Sequence, residues 1–169
     1  MKGFKLFAVA ALLLSLSSCG LLSQIEKESQ EEAAGFVAKA LSEQELAIEV
    51  NRIMPMRGPS IPSYDGYMLK IKDGVVNAYL PFFGEAYTSV VYGADSTGIE
   101  FKDCPITVDD SQSKPSKGKY VWRFAARCGM EKVYVTVTFW EGGGADIACN
   151  PTNRSNISYS GNLIAYPEK

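Results

Sequence analysis

The 169-residue chain is one domain's worth of sequence once a leader is set aside. It has no histidine, 17 basic and 19 acidic side chains, and a net charge of −2. That excludes histidine-based triads and His-ligated zinc, and it leaves no basic footprint for nucleic acid. Catalysis would fall to carboxylates, Lys, Tyr, Ser or Cys, so the expectation is a non-enzymatic protein with no cofactor and no metal.

The chain opens MKGFKLFAVAALLLSLSSCG. Lys2 and Lys5 form a positive start, and the apolar run Leu6–Leu16 is shorter than the ~20 residues a spanning helix needs but fits a secretory signal. Leu16-Ser17-Ser18-Cys19 resembles the bacterial lipoprotein signal. That resemblance implies cleavage after residue 18, acyl chains on Cys19, and stable anchoring to a membrane that the chain does not cross. The expected organisation is a lipoprotein signal peptide over 1–18, a lipidated tether over 19–30 and a single mainly-β domain over 31–169. The location is then the cell envelope, on its periplasmic face or at the cell surface. Without Lys2 and Lys5 the balance is 15 basic (17 less 2) against 19 acidic residues, or −4.

Ala33, Phe36, Val37, Ala40 and Leu41 recur at helical spacing and predict one short helix. Gly35 within it costs ~1 kcal/mol relative to alanine, so tertiary packing must support it. From residue 46 the period changes to two. Leu46, Ile48 and Val50 alternate with polar or small residues, as do Tyr67, Leu69 and Ile71, and Asp73-Gly74 reads as a tight hairpin turn. Ile99 and Phe101 form one face, and Cys104, Ile106 and Val108 another.

Tyr120, Trp122, Phe124 and Ala126 oppose Lys119, Arg123 and Arg127, and the next run places Val133, Val135, Val137 and Phe139 on one face. Residues 128–130 join these two strands. Ala145, Ile147 and Cys149, then Ile157, Tyr159 and Leu163, complete the pattern. The fold class is therefore mainly β: an antiparallel curved sheet or barrel-like meander of about eight to nine strands with one N-terminal helix. Cys104, Cys128 and Cys149 remain as one disulfide plus a thiol, with three pairings open, or as three small hydrophobes.

Three connections exceed what a hairpin needs: residues 55–66, 81–97 and 109–118. The first carries Arg57 and Tyr64, and the third reads as a solvated polar loop. The second sets Phe82, Phe83, Tyr87 and Tyr92 around Pro81 and glycines just after Tyr79. Such rings either cap the open end of the sheet or form a recognition surface.

The motifs around these rings carry a family resemblance. Asn51-Arg52 with Pro55, Gly58, Ser60 and Ile61, then Tyr79-Leu80-Pro81-Phe82-Phe83-Gly84, then Asn153-Arg154-Ser155-Asn156-Ile157-Ser158-Tyr159-Ser160-Gly161, resemble domain-of-unknown-function family 4251, envelope lipoproteins of Bacteroidota. The likeness runs from about residue 30 to the C-terminus. The chain departs at Phe82, where the pattern prefers tyrosine, and it carries Pro151 and Thr152 ahead of its Asn-Arg pair. The resemblance implies envelope location and single-domain extent, and it brings no activity with it.

If those motifs meet in the fold, Arg52, Tyr79, Phe82, Phe83, Tyr87, Tyr92, Arg154 and Tyr159 would build a cleft with aromatic walls and polar anchors. The alternative is that the arginines satisfy carbonyls or carboxylates and the asparagines serve turns. Two roles compete: a binding module for a glycan, peptide or lipid fragment, or a structural partner of another envelope protein. An enzyme using Asp109, Asp110, Glu141 or Asp146 is disfavoured, because none of these falls into a facing pair. Asp95-Ser96-Thr97 resembles the O-glycosylation site of Bacteroidota lipoproteins. The two Asn-x-Ser matches at 153 and 156 belong to a eukaryotic route.

Overall fold

The computed structural model describes residues 18–87, 98–108, 113–116, 118–128 and 131–167. Tyr92, the Asp95–Thr97 tripeptide and Asp109–Asp110 lie outside these residues. The chain divides into two units, Met1–Glu32 and Ala33–Lys169.

The helix, α1, runs Ser18–Glu43, far longer than the 33–41 stretch marked by apolar periodicity. Residues 19–30, expected as a tether, are helical. Their Leu, Glu, Gln and Lys residues are good helix formers, and Lys27 stands four residues before Glu31 just beyond them. Intrinsic propensity therefore favours a longer helix than the apolar periodicity marks. It ends at Gln44, which adopts a left-handed φ of 53°.

The strands are β1 (Leu46–Pro55), β2 (Ile61–Pro62), β3 (Met68–Lys72), β4 (Val75–Pro81), β5 (Gly98–Val108), β6 (Ser113–Ser116), β7 (Lys119–Cys128), β8 (Glu131–Trp140), β9 (Gly144–Pro151) and β10 (Ile157–Leu163). Eight of them close an antiparallel barrel in the order β10-β9-β8-β7-β5-β4-β3-β1, with β1 returning to β10. Closure removes the exposed edges that an open sheet would present.

The short strands fill edge left by the stagger. β3 pairs with residues 46–49 of β1 and β2 with 52–53. β5 pairs with 124–126 of β7 and β6 with 119 and 121. The connections expected over 55–66 and 109–118 therefore each contain a strand too short to show periodicity.

Alternation fills the interior as expected. Val133, Val135, Val137 and Phe139 of β8, with Ala145, Ile147 and Cys149 of β9 and Ile157, Tyr159 and Leu163 of β10, are all buried. Asp73 and Gly74 both have positive φ and close the β3–β4 hairpin. Two bulges change the phase mid-strand. In β5, Phe101 and Cys104 are both buried, and Asp103 between them (φ 49°) donates its N–H to Asn77 Oδ1 at 2.9 Å. In β1 the register against β10 shifts between Val50 and Arg52. There the Gly161 backbone approaches so closely that a Cβ would lie 1.9 Å from Glu49 O. The sequence pattern sets Val108 beside Cys104 and Ile106, but its side chain is exposed because β5 ends there.

Cys104 is disulfide-bonded and Cys149 is a buried free thiol. The β5/β7 register sets Ile106 opposite Ala126 and Val108 opposite Phe124.

From Ala33 onward the helix packs within the barrel unit. Val37 and Ala40 join the core, and Ala33 lies against Gly143 at the β8–β9 turn. This closes the end where β1 starts and β10 finishes. The opposite end, where β4 finishes and β10 starts, is closed by residues 82–87.

Candidate functional site

Residues 82–87 form a strap held by backbone pairing to the segment before β10. Tyr87 N donates to Asn153 O and Ser155 N to Glu85 O, each at 2.9 Å, and Ala86 bridges Arg154. Glu85 N adds a bond to Ser155 Oγ at 3.1 Å. The strap lies so close that a Cβ on Gly84 would fall 2.1 Å from Ser155 Oγ. A Cβ there would displace the Ser155 hydroxyl and the Phe82 ring, which gives the last residue of the YLPFFG-type motif a physical cause.

Under the strap sits a buried ion pair. Arg154 and Glu131 are 9% and 7% exposed. Arg154 Nε and Nη2 donate to Glu131 Oε2 at 3.0 and 2.7 Å, and Nη1 donates to Gly98 O at 3.0 Å. The Phe82 ring covers the guanidinium, its centroid 5.1 Å from Cζ. Tyr159, fully buried, donates its hydroxyl to Pro81 O at 2.9 Å and fixes the point where the strap leaves β4. Burial raises the Tyr159 phenol above its ordinary pKa, so it stays protonated and keeps that bond.

The residues singled out by sequence thus separate. Arg154, Tyr159 and Phe82 come together, but as supports whose polar ends are engaged inside the protein. Phe83 and Tyr87 project outward, 47% and 63% exposed. Tyr79 lies on the outer face of β4, its ring 6.1 Å from that of Tyr67. Arg52 is exposed and donates to Ser60 Oγ at 3.0 Å, tying β1 to the following loop without lining the groove.

The groove runs between that loop and the strap. A hollow of about 100 Å³ is lined by Met56, Arg57, Phe83, Glu85, Tyr87 and Ser155. A wide, shallow one of about 520 Å³ continues past Phe83 to Pro55, Pro59 and Ile61. Arg57 Nη1 reaches Glu85 Oε1 at 3.1 Å across the groove, with both side chains largely in solvent. Arg57 and Glu85 are 28 residues apart and their meeting has no local signature; the placement of Arg57 in a Pro/Gly-rich loop is the one sequence cue.

Among the described lining residues there is no nucleophile–base pair and no facing carboxylates. Glu141 accepts from Tyr120 Oη at 3.4 Å, and Asp146 accepts from the Ser160 hydroxyl, so these two acids have separate structural partners. No group of three or more potential metal ligands occurs among the described residues, and no helix there is long and apolar enough to cross a membrane.

The fold and groove define a small closed antiparallel β-barrel with a helix at one end and an aromatic strap over the other. The chain belongs to the DUF4251 family, a domain of unknown function that matches residues 27–163. A crystal structure of a DUF4251 family protein from Bacteroides eggerthii DSM 20697 is similar to it, with a TM-score of 0.56 at 19% identity over 80% of this chain and 87% of that one. At that identity the likeness speaks to the fold. No curated protein matches the chain.

Proposed function

We propose that this protein is a lipid-anchored, non-catalytic binding module of the cell envelope, and that its groove between residues 55–61 and 82–87 holds a glycan. The observation that carries the reading is the pair of solvent-facing rings, Phe83 and Tyr87, beside the exposed Arg57–Glu85 pair. Ring faces accept the C–H faces of sugars, and a guanidinium with a carboxylate supplies donors and acceptors for hydroxyls. The strap beneath is pinned by Arg154, Ser155 and Tyr159, so little ordering cost falls on binding.

Titration of the purified protein with neutral and amino-sugar oligosaccharides tests this. At least one should bind saturably, and Phe83→Ala and Tyr87→Ala should each weaken it tenfold or more with an unchanged melting temperature. Unaltered affinity in both variants would refute the assignment. A second reading, docking onto another envelope protein, rests on the same rings. Crosslinking from position 83 or 87 to a single protein in intact envelopes, without oligosaccharide affinity, would establish it instead.

The anchor is proposed from Leu16–Cys19, with the protein on the periplasmic face or at the cell surface. Cys19→Ser should move it from the membrane fraction to the soluble one; retention in the membrane fraction would contradict acylation.

A further inference from the structure

The two hollows of the groove meet at Arg57, Phe83 and Gly84, which line both. The smaller one, about 100 Å³, equals roughly three waters at ~30 Å³ each. That admits a substituent of about three or four non-hydrogen atoms and no pyranose ring. The ring of a sugar therefore belongs in the wide hollow, against Phe83, Pro59 and Ile61, with one substituent reaching into the small one.

The small hollow is mixed in chemistry. Met56 and Phe83 supply apolar contact, and Arg57, Glu85 and Ser155 supply donors and acceptors. Arg57 and Glu85 spend one bond on each other, from Nη1 to Oε1. Among the described residues this leaves Arg57 Nε and Nη2 as donors and Glu85 Oε2 as an acceptor. The buried Ser155 accepts from Glu85 N through Oγ, and its own hydroxyl proton goes to no described residue. The Glu85 backbone is held on both sides, its N–H and C=O both bonded to Ser155. One acceptor, several donors and an apolar contact within a space of that size are complementary to an amide carrying a methyl group.

We propose that the small hollow is an acetamido subsite, so that the groove selects N-acetylated hexosamines over plain hexoses. This rests on the glycan reading of the groove and names the sugar class. The amide N–H donates to Glu85 Oε2, the amide carbonyl accepts from Arg57 and from the Ser155 hydroxyl, and the methyl group meets Met56 and the Phe83 ring. A hydroxyl in the same place fills less of the hollow and leaves those polar groups short of partners. A free amine lacks the carbonyl and brings its ammonium beside the Arg57 guanidinium.

Three β-1,4-linked tetrasaccharides that differ only at C2 test this by isothermal titration: N-acetylglucosamine tetramer, glucosamine tetramer and cellotetraose. The N-acetylated one should bind saturably and at least tenfold more tightly than either of the others. Glu85→Ala, at a position where the side chain is 67% exposed, should bring its advantage over cellotetraose below about threefold at an unchanged melting temperature. That ratio is the readout, because general damage to the groove would weaken both sugars and leave it alone. Equal binding of cellotetraose or of the glucosamine tetramer would overturn the subsite while the groove stands. A tenfold preference that persists in Glu85→Ala would overturn it too. No saturation by any of the three up to about 10 mM would also overturn it, and the groove then falls only if the wider set of oligosaccharides fails as well.

Discussion

Replacing Arg154 by methionine tests whether the strap rests on a buried ion pair. The substitution keeps the side chain's length but leaves the Glu131 carboxylate charged and enclosed. Glu131 Oε1 already has no hydrogen-bond partner among the described residues, and Oε2 would lose both its donors. Removing one member of a buried pair costs about 3–5 kcal/mol, which for a chain of this length lowers the melting temperature by roughly 6–20 °C. Replacing both members, as in Glu131→Leu/Arg154→Met, removes the orphaned charge. What is then lost is the bond to Gly98 O and the contact with Phe82, about 1–3 kcal/mol. Urea unfolding at constant m-value measures each corner of the cycle. The double variant should be more stable than Arg154→Met alone. An Arg154→Met cost below about 1 kcal/mol, or a double variant destabilised by the sum of the singles, would refute the reasoning.

Gly35 lies inside α1, and a Cβ there would meet nothing within 4 Å; Gly35→Ala should therefore stabilise by about 0.5–1 kcal/mol, read as a higher urea midpoint. Gly161→Ala should do the opposite and cost at least ~1–3 kcal/mol, because the added methyl meets the backbone of β1 rather than a mobile side chain. Burial pushes the Cys149 thiol up to about 12, well above the ~8.5 of an unfolded cysteine. With the folded value raised, its contribution is complete below pH ~8.5 and is lost as pH rises, by about 2 kcal/mol at pH 10. Cys149→Ala should flatten that part of the profile, and the native thiol should resist alkylation at pH 8, where an unfolded one reacts.

The eight barrel strands were legible because each buries one face, so the period of two survives in sequence between Leu46 and Leu163, whereas β2 and β6 are too short to carry it. The helix was half legible: Ala33, Val37 and Ala40 mark its packed part, whereas the polar, acidic run after Leu22 carries good helix formers without an apolar repeat to announce them. The bulges at Asn51 and Asp103 were not legible, because an extra residue in a strand is defined by its partner's register. The motif residues divide for a similar reason. Phe82 and Phe83 are neighbours in sequence, yet one covers Arg154 and the other faces solvent, since successive side chains of an extended segment point to opposite sides. Arg154 read as a binding candidate because its partner Glu131 lies 23 residues away, at the start of β8.

The central claim is that the groove between residues 55–61 and 82–87 is where this protein meets its ligand. Amide chemical shifts of the isotope-labelled protein, followed while the oligosaccharide that binds is titrated in, test it most directly. The account predicts changes concentrated at Met56, Arg57 and Phe83–Tyr87. Changes centred instead on the outer face of β7 and β8, or at the helix-capped end, would contradict it.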